Sequence, residues 1–291
     1  MSKLTIITIN YNNLPGLKRT MPSILSQSYT EYEMIVIDGG STDGSKEYIQ
    51  SLPRIDQWVS EPDAGIYNAM NKAVGMAHGE YCIFMNSGDM FFSAMALEEA
   101  VPFLKGADIC TGATIYVGDD MAYRFPAPEE ITLDFIIRFA LSHQATFSRT
   151  ELLRRHPFNE SHKIVSDWEW SFEMWYKHGC TYQSMPCIIA TYFLDGISSL
   201  NQDLSNAERK EVMMRLFGME MYEELFVHGK YKYLWKKPEA VEDKYDRERL
   251  QRKINIAMSK KPLERDLKII RNAMKFLLRD LIRSIYPDRK R

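Results

Sequence analysis

The sequence predicts an α/β fold: a mostly parallel, Rossmann-like sheet flanked by helices on both faces. Three observations carry this. Short apolar runs rich in β-branched residues recur through the first 90 residues. Between them lie segments whose apolar residues fall three and four apart, the spacing of one helix face. Each run ends in a polar cluster. Strands that are apolar on both sides belong to parallel sheets covered by helices, and such sheets bind ligands beyond the carboxyl ends of their strands.

LTIITIN at 4–10 is the first strand, and a helix is expected from Leu14 to Gln27. EMIVIDG at 33–39 is the second strand, stopped by Gly39 and Gly40, with a helix at 45–52 and a short third strand at 57–61 to follow. Ile66, Ala69, Met70, Ala73, Val74 and Ala77 share one face of a helix over 65–77, and YCIFMN at 81–86 is the fourth strand. Further strands are expected at 108–116, 122–125 and 187–194, and helices at 133–140, 167–177, 206–224 and 263–286. The chain divides near residue 200. Residues 1–200 form the α/β domain, with a first half at about 1–90 and a second at about 90–200, and 201–291 form a basic helical extension.

A chain of 291 residues, 45% hydrophobic and 12% aromatic, can bury about three quarters of its unfolded surface, so it needs no crosslinks and is not disordered. Cys82, Cys110, Cys180 and Cys187 lie too far apart for the close pairs of a zinc site and read as structural thiols. The N-terminus opens on a strand, and no apolar stretch approaches the ~18 residues of a membrane span, so a cytoplasmic location is expected. The formal charge of −2 hides an asymmetry: residues 1–227 carry a net −13 and residues 228–291 a net +11. Such a basic segment calls for an anionic partner, a solvated helical tail being the plain alternative.

Four polar clusters follow the first four strands: Asn10-Tyr11-Asn12-Asn13, Asp38-Gly39-Gly40-Ser41-Thr42-Asp43, Glu61-Pro62-Asp63-Ala64-Gly65 and Asn86-Ser87-Gly88-Asp89. Neither a GxGxxG dinucleotide fingerprint nor a P-loop is present. Carboxylates repel a bare diphosphate, but Asp89 suits Mg²⁺ or Mn²⁺, which take oxygen ligands and complete their shells with phosphate oxygens and water. Asp38 offers acceptors to the N–H groups of a base or the hydroxyls of a ribose. Together these groups describe a pocket for a metal-chelated nucleotide diphosphate.

LTIITINYNN, IVIDGGSTDGS and EPDAGIYNAMNKAVGMAHGEYCIFMNSGD, in that order, resemble the nucleotide-binding half of an inverting glycosyltransferase of family 2 with the GT-A fold. They are most similar to members of the colanic-acid type that build bacterial surface polysaccharides. The resemblance covers about residues 1–200. It implies a nucleotide-sugar donor, commonly UDP-linked, a divalent metal ion (Mn²⁺ or Mg²⁺), and inverting transfer to a glycan or a polyprenyl-diphosphate-linked sugar. By position, Asp38 matches the aspartate that contacts the base, and the Thr8, Asn10, Tyr11 and Asn12 turn lies along the nucleotide. Asp89 matches the last acid of the DxD element, which holds the metal. Asp63 and Lys72 fall in a segment lining the donor pocket. The chain departs from the family at Ser87, which replaces the first acid of DxD, and at Gly39, which replaces the second of the usual acidic pair. A weaker metal dependence is expected from both.

The same resemblance assigns the general base to Asp167, with Glu169 as runner-up and Trp168 and Trp170 placed to stack on sugar rings. A capping aspartate at the start of a helix is the competing reading of Asp167. His143 and Gln144 resemble residues near the acceptor, a buried structural histidine being the alternative, and Asp195-Gly196-Ile197-Ser198-Ser199 reads as a loop over the diphosphate or as an ordinary turn. The Gln-x-x-Arg-Trp sequence and membrane helices of polymerising relatives are absent, so single addition is expected. In the tail, Leu263, Leu267, Ile270, Met274, Leu277, Leu278, Leu281 and Ile285 form an apolar stripe flanked by Lys268, Arg271, Lys275, Arg279 and Arg283. Such a helix lies on an anionic membrane surface, here the inner face, or packs on the core or a second subunit of a homo-oligomer. No nucleic-acid module is present. A non-catalytic nucleotide-sugar or glycan-binding module with the same fold is the competing function. A nucleotidyltransferase would need a Gly-rich basic loop after the first strand, where NYNNLPGLK has one Gly and one Lys.

Overall fold

The computed structural model describes residues 3–118, 122–194 and 201–231. Strands β1 (Leu4–Asn10), β2 (Tyr32–Asp38), β3 (Gln57–Ser60) and β4 (Tyr81–Phe84) run parallel in the order β3-β2-β1-β4. They are joined by α1 (Leu14–Leu25), α2 (Ser45–Ser51) and α3 (Ile66–Met76). Alternate residues of β1 enter different cores: Ile7 and Ile9 join α3 on one side of the sheet, Leu4 and Ile6 join α1 on the other. The register aligns Asn10 with Asp38 and Asp38 with Ser60, so three strands end in one polar row.

The second half is mixed. It contains β5 (Met90–Phe91), α4 (Ala96–Ala100), β6 (Ile109–Val117), β7 (Ala122–Phe125), α5 (Leu133–Arg138), β8 (Thr146–Arg149), α6 (Thr150–Arg155), α7 (Ser166–Tyr176) and β9 (Tyr182–Phe193). The sheet continues from β4 through β8, β6, β9 and β5, with β7 paired to β6. Strand β8 is antiparallel to both its neighbours. At four residues it is too short to show a period, and it has no counterpart in the sequence reading. Strand β9 starts five residues before the expected 187 because Pro186 interrupts the apolar run without ending the strand. The proline falls where the β6–β9 register shifts, a place where a missing N–H breaks no ladder bond. Burial pushes the Cys82 thiol up to about 12 and that of Cys110 up to about 11, as expected of structural thiols.

After β9 comes α8 (Gln202–Phe217), then α9 (Met219–Tyr222), separated at Gly218. The sequence boundary at residue 200 does not separate two cores. Val212 and Met213 of α8 are fully buried in the same cluster as Ile136, Trp168 and Phe172, and Tyr222, Phe226 and Tyr231 extend it. Apolar burial overrides the change to helical sequence that marked the boundary, since each such side chain contributes on the order of 1.5–3 kcal/mol. Glu208 locks the contact. Its carboxylate accepts the backbone N–H groups of Lys163 at 2.8 Å, Ile164 at 3.0 Å and Val165 at 3.2 Å, the donors left open where the chain enters α7. Glu208→Ala should therefore cost about 3 kcal/mol, measured as a lower urea midpoint with an unchanged slope; a loss below about 1 kcal/mol would mean the clamp is not needed.

Among the described residues no helix is long and apolar enough to cross a membrane. The striped basic helix expected at 263–286 and the loop Asp195 to Ser199 lie outside the described residues.

Candidate active site

At the carboxyl ends of β1 to β3, Asp38 is fully buried. Its carboxylate accepts from Asn10 Nδ2 at 2.8 Å, Ser41 Oγ at 2.5 Å, Ser41 N at 3.0 Å and Ser60 Oγ at 2.7 Å. Burial pushes this carboxyl up, but the hydrogen bonds from Ser41, Asn10 and Ser60 outweigh it and hold it below its ordinary value of 3.8. Asp38, expected to meet a base directly, is saturated by protein donors and ties the ends of β1, β2 and β3 together. Thr8 and Asn10 are likewise buried, so of the β1 end only Tyr11 and Asn12 reach the surface. Asn12 takes a left-handed turn (φ 46°). Its N–H donates to Ser41 Oγ at 2.7 Å and its Oδ1 accepts Thr42 N–H at 2.9 Å, joining the first two clusters.

Gly39 lies where the first and third clusters meet the second. A Cβ there would lie 2.7 Å from Asp63 Oδ2 and 3.1 Å from the Tyr11 ring, so the missing side chain lets an exposed aromatic and a carboxylate converge. Lys72 pairs with Glu61 at 2.5 Å on the rim.

The Ser87-Gly88-Asp89 loop is held by α1. Asn13 caps that helix through Gly16 N–H at 3.1 Å and donates from Nδ2 to the Ser87 carbonyl at 3.0 Å. Thr20 Oγ1 accepts Gly88 N–H at 2.9 Å and donates to the Asp89 carbonyl at 2.6 Å. Gly88 has φ 112°, a conformation that L side chains rarely adopt. The loop thus presents the Asp89 carboxylate, 11% exposed, toward His143, whose Nε2 lies 3.9 Å from Asp89 Oδ2 and 3.4 Å from Asn86 Nδ2.

On its other edge His143 meets Asp167: Nδ1 lies 3.1 Å from Oδ2. Asp167 is not the helix cap, a position held by Val165; it sits in the first turn of α7, where the helix N-terminus favours a negative charge. Its Oδ1 lies 3.1 Å from the Tyr67 hydroxyl, which is 2.7 Å from the Ile164 carbonyl. One hydroxyl proton serves two acceptors, so Oδ1 keeps lone pairs open to a further donor. Burial pushes Asp167 up, but the hydrogen bond and charge of His143 prevail and hold it below the usual carboxylate range. Burial pulls His143 down, yet Asp167 and then Asp89 raise it on balance. The result is an ionised carboxylate held from two sides, with an imidazole between it and Asp89 whose protonated form both acids favour.

The other acceptor-side expectations are corrected. Trp168 is 1% exposed and donates to the Ile136 carbonyl at 2.7 Å; Trp170 is 5% exposed and donates to the His156 carbonyl at 2.6 Å. Both are core residues, since α7 lies in the interior and buries most of its circumference. Glu169 is buried and engaged by buried His162 at 2.6 Å and by exposed Arg215 at 2.5 Å, which removes it as a base. Gln144 is buried, leaving His143 as the member of that pair that faces the site. Sequence reasoning gave no separate role to Tyr67, nor to Asn86 within its polar cluster. Tyr67 stood within a quoted motif, as a polar tip on the buried face of α3.

Among the described residues no three His, Cys, Asp or Glu side chains converge as a metal cage. The groups present nonetheless fit an ion shared with a ligand. Asp89 supplies a carboxylate, and Asn86 Oδ1 is a buried oxygen with no hydrogen-bond partner. Mg²⁺ and Mn²⁺ are commonly held this way, by one or two protein oxygens and the phosphates of a bound nucleotide.

The chain is similar to several known proteins. It is 35% identical over 159 residues, 52% of this chain and 60% of the relative, to an uncharacterized glycosyltransferase of Mycobacterium tuberculosis (strain ATCC 25618 / H37Rv), so it spans about three fifths of that relative's length. It is 24% identical over 221 residues, 73% of this chain and 85% of the relative, to a PGL/p-HBAD biosynthesis glycosyltransferase of Mycobacterium bovis (strain BCG / Pasteur 1173P2). Two solved GT-A structures share its fold: S. aureus TarS 1-349 in complex with UDP-GlcNAc (TM-score 0.58, 16% identity, 80% of this chain and 78% of that one), and a Pyrobaculum calidifontis mannosyltransferase in complex with GDP-Man and Mn²⁺ (TM-score 0.58, 17% identity, 98% and 88%). The model of glycosyl transferase family 2 matches residues 5–165, from β1 to the turn that enters the Asp167 helix, and with more than half its length so matched the chain belongs to that family and has the GT-A fold.

Proposed function

We propose that the protein transfers one sugar, with inversion, from a nucleotide-diphosphate sugar to a glycan or lipid-linked sugar hydroxyl in the synthesis of a bacterial surface polysaccharide or glycolipid. The observation that carries this reading is the line Asp89, His143, Asp167. It spaces a carboxylate suited to a metal ion on the donor's diphosphate and a second, ionised carboxylate across one histidine. Asp167, open at Oδ1 and fixed by His143 and Tyr67, accepts the proton of the attacking hydroxyl, the role of a general base. The hydroxyl then attacks the anomeric carbon from the face opposite the diphosphate. The Tyr11, Gly39 and Asp63 groove receives the nucleotide, with Asp38 holding its walls. A divalent ion held by Asp89 and Asn86 Oδ1 would neutralise charge on the departing diphosphate. A UDP-linked donor is favoured, in keeping with TarS, which is seen with UDP-GlcNAc, and Mn²⁺ accompanies GDP-Man in the mannosyltransferase. The basic segment 228–291 brings the enzyme to an anionic membrane that carries the acceptor.

The test is a thermal-shift screen of the full chain against UDP-GlcNAc, other UDP-sugars and GDP-Man, with and without Mn²⁺, followed by a transfer assay with the best ligand. A ligand at 100 times its Kd stabilises by about 2.7 kcal/mol, so at least one nucleotide sugar should raise Tm by several degrees, more so with Mn²⁺. No shift with any of them would defeat the proposal.

A further inference from the structure

Arg209, on α8, packs against the residue that follows Asp167. Its guanidinium stacks on the ring of Trp168, the residue after Asp167, at 4.5 Å from the centroid. Adjacent Glu208 clamps α8 onto the entry to α7 through three backbone N–H groups, so the position of Arg209 relative to Asp167 is set by a rigid contact. Its charge is felt with those of Asp167 and Tyr67: burial draws it down to about 10 and these two groups oppose that. It remains cationic at neutral pH. Among the described residues, none accepts a hydrogen bond from its planar fork of five N–H donors. Arg209 is half-buried, and an arginine fork matches a carboxylate or phosphate with two parallel bonds.

The donor's diphosphate belongs elsewhere. Asp89 lies across His143 from Asp167, and in-line displacement puts the leaving group on the face opposite the base. Oxygens that meet Arg209 are therefore brought by the acceptor. We propose that Arg209 receives an oxyanion carried on the acceptor sugar itself, a carboxylate or a phosphate ester within one ring of the attacking hydroxyl, and thereby selects acidic acceptors. The inference rests on the proposed function, since it takes Asp167 as the base.

The experiment titrates the full chain, with Mn²⁺ and UDP present to fill the donor side, against methyl β-glucuronide, glucose 6-phosphate and neutral methyl β-glucoside, in the parent, Arg209→Met and Arg209→Lys. Binding is read by ligand-observed NMR, and UDP affinity is measured separately for each protein. The parent should prefer at least one anionic sugar over the neutral one by about tenfold or more, the scale of a charge-assisted bidentate contact. Whether the carboxylate or the phosphate is preferred identifies the oxyanion. Arg209→Met, which keeps an apolar contact with Trp168, should erase the preference and leave UDP affinity unchanged. Arg209→Lys, which keeps the charge without the fork, should retain part of it. A tenfold loss of UDP affinity in Arg209→Met with the sugar preference intact would place Arg209 on the donor side and overturn the inference. So would a parent that binds the three sugars equally, or an Arg209→Met protein whose only change is the pH profile of transfer. If neither UDP nor GDP binds the parent, the proposed function fails and this inference with it; nucleotide binding without selectivity for acidic sugars defeats this inference alone.

Discussion

Asp167→Asn should slow sugar transfer by about 10²- to 10⁴-fold, the usual contribution of a positioned general base, while nucleotide-sugar affinity changes little. The amide keeps the shape of the side chain, so its oxygen can still accept from His143 Nδ1, 3.1 Å away, while its NH2 group donates to the Tyr67 hydroxyl oxygen, also 3.1 Å away. What is lost is an ionised oxygen able to take a proton. A second readout tests the local electrostatics. His143 is raised because Asp167 and Asp89 outweigh its burial. Removing the nearer charge should lower its titration midpoint, followed through the imidazole proton resonances. Transfer within threefold of the parent would remove Asp167 as the base, and a binding module without chemistry would show no transfer in either protein.

Asp38→Ala should cost about 3–5 kcal/mol, the scale seen when one partner of a buried charged network is deleted. Four donors from Asn10, Ser41 and Ser60 lose their shared acceptor, and the ends of β1, β2 and β3 lose the group that joins them. The pH dependence follows from the sign of the shift. The folded carboxyl lies below its ordinary 3.8, so its contribution is present above that value and is lost as the pH falls through the folded one. Urea unfolding of the parent should weaken steeply below about pH 4, and Asp38→Ala should show a shallower slope there. An equally steep loss in the variant would assign the acid sensitivity to other carboxylates. Because Tyr11 and Asp63 line the same groove, the variant should also bind nucleotide more weakly.

Much of the nucleotide-binding half was legible because its signals are local. The apolar runs of β1, β2 and β4 and the face of α3 read directly as strand and helix periods, and the polar clusters follow strands whose parallel order brings them to one edge. The roles within those clusters were less legible. Asp38 and Asn10 look like ligand contacts in a line of residues, but the register of Asn10 to Asp38 to Ser60 turns them toward one another. Trp168 and Trp170 flank an expected base and were read as sugar platforms; their burial follows from α7 being enclosed by α5, α8 and the sheet, which no helical period within 11 residues reveals. The two-residue β5 and four-residue β8 are too short to carry a period at all.

By itself, then, the sequence determined the α/β class and the family and singled out the acids Asp89 and Asp167 as candidates, since strand periods and spaced motifs are properties of consecutive residues. The tertiary structure alone decided that His143 stands between those two acids, that Tyr67 supports one of them from 100 positions away, and that α8 belongs to the same core, with Arg209 stacked on Trp168. These are contacts between distant segments. They are set by strand order, by the burial of Val212 and Met213, and by the Glu208 clamp, energies that exist only once the chain has closed on itself.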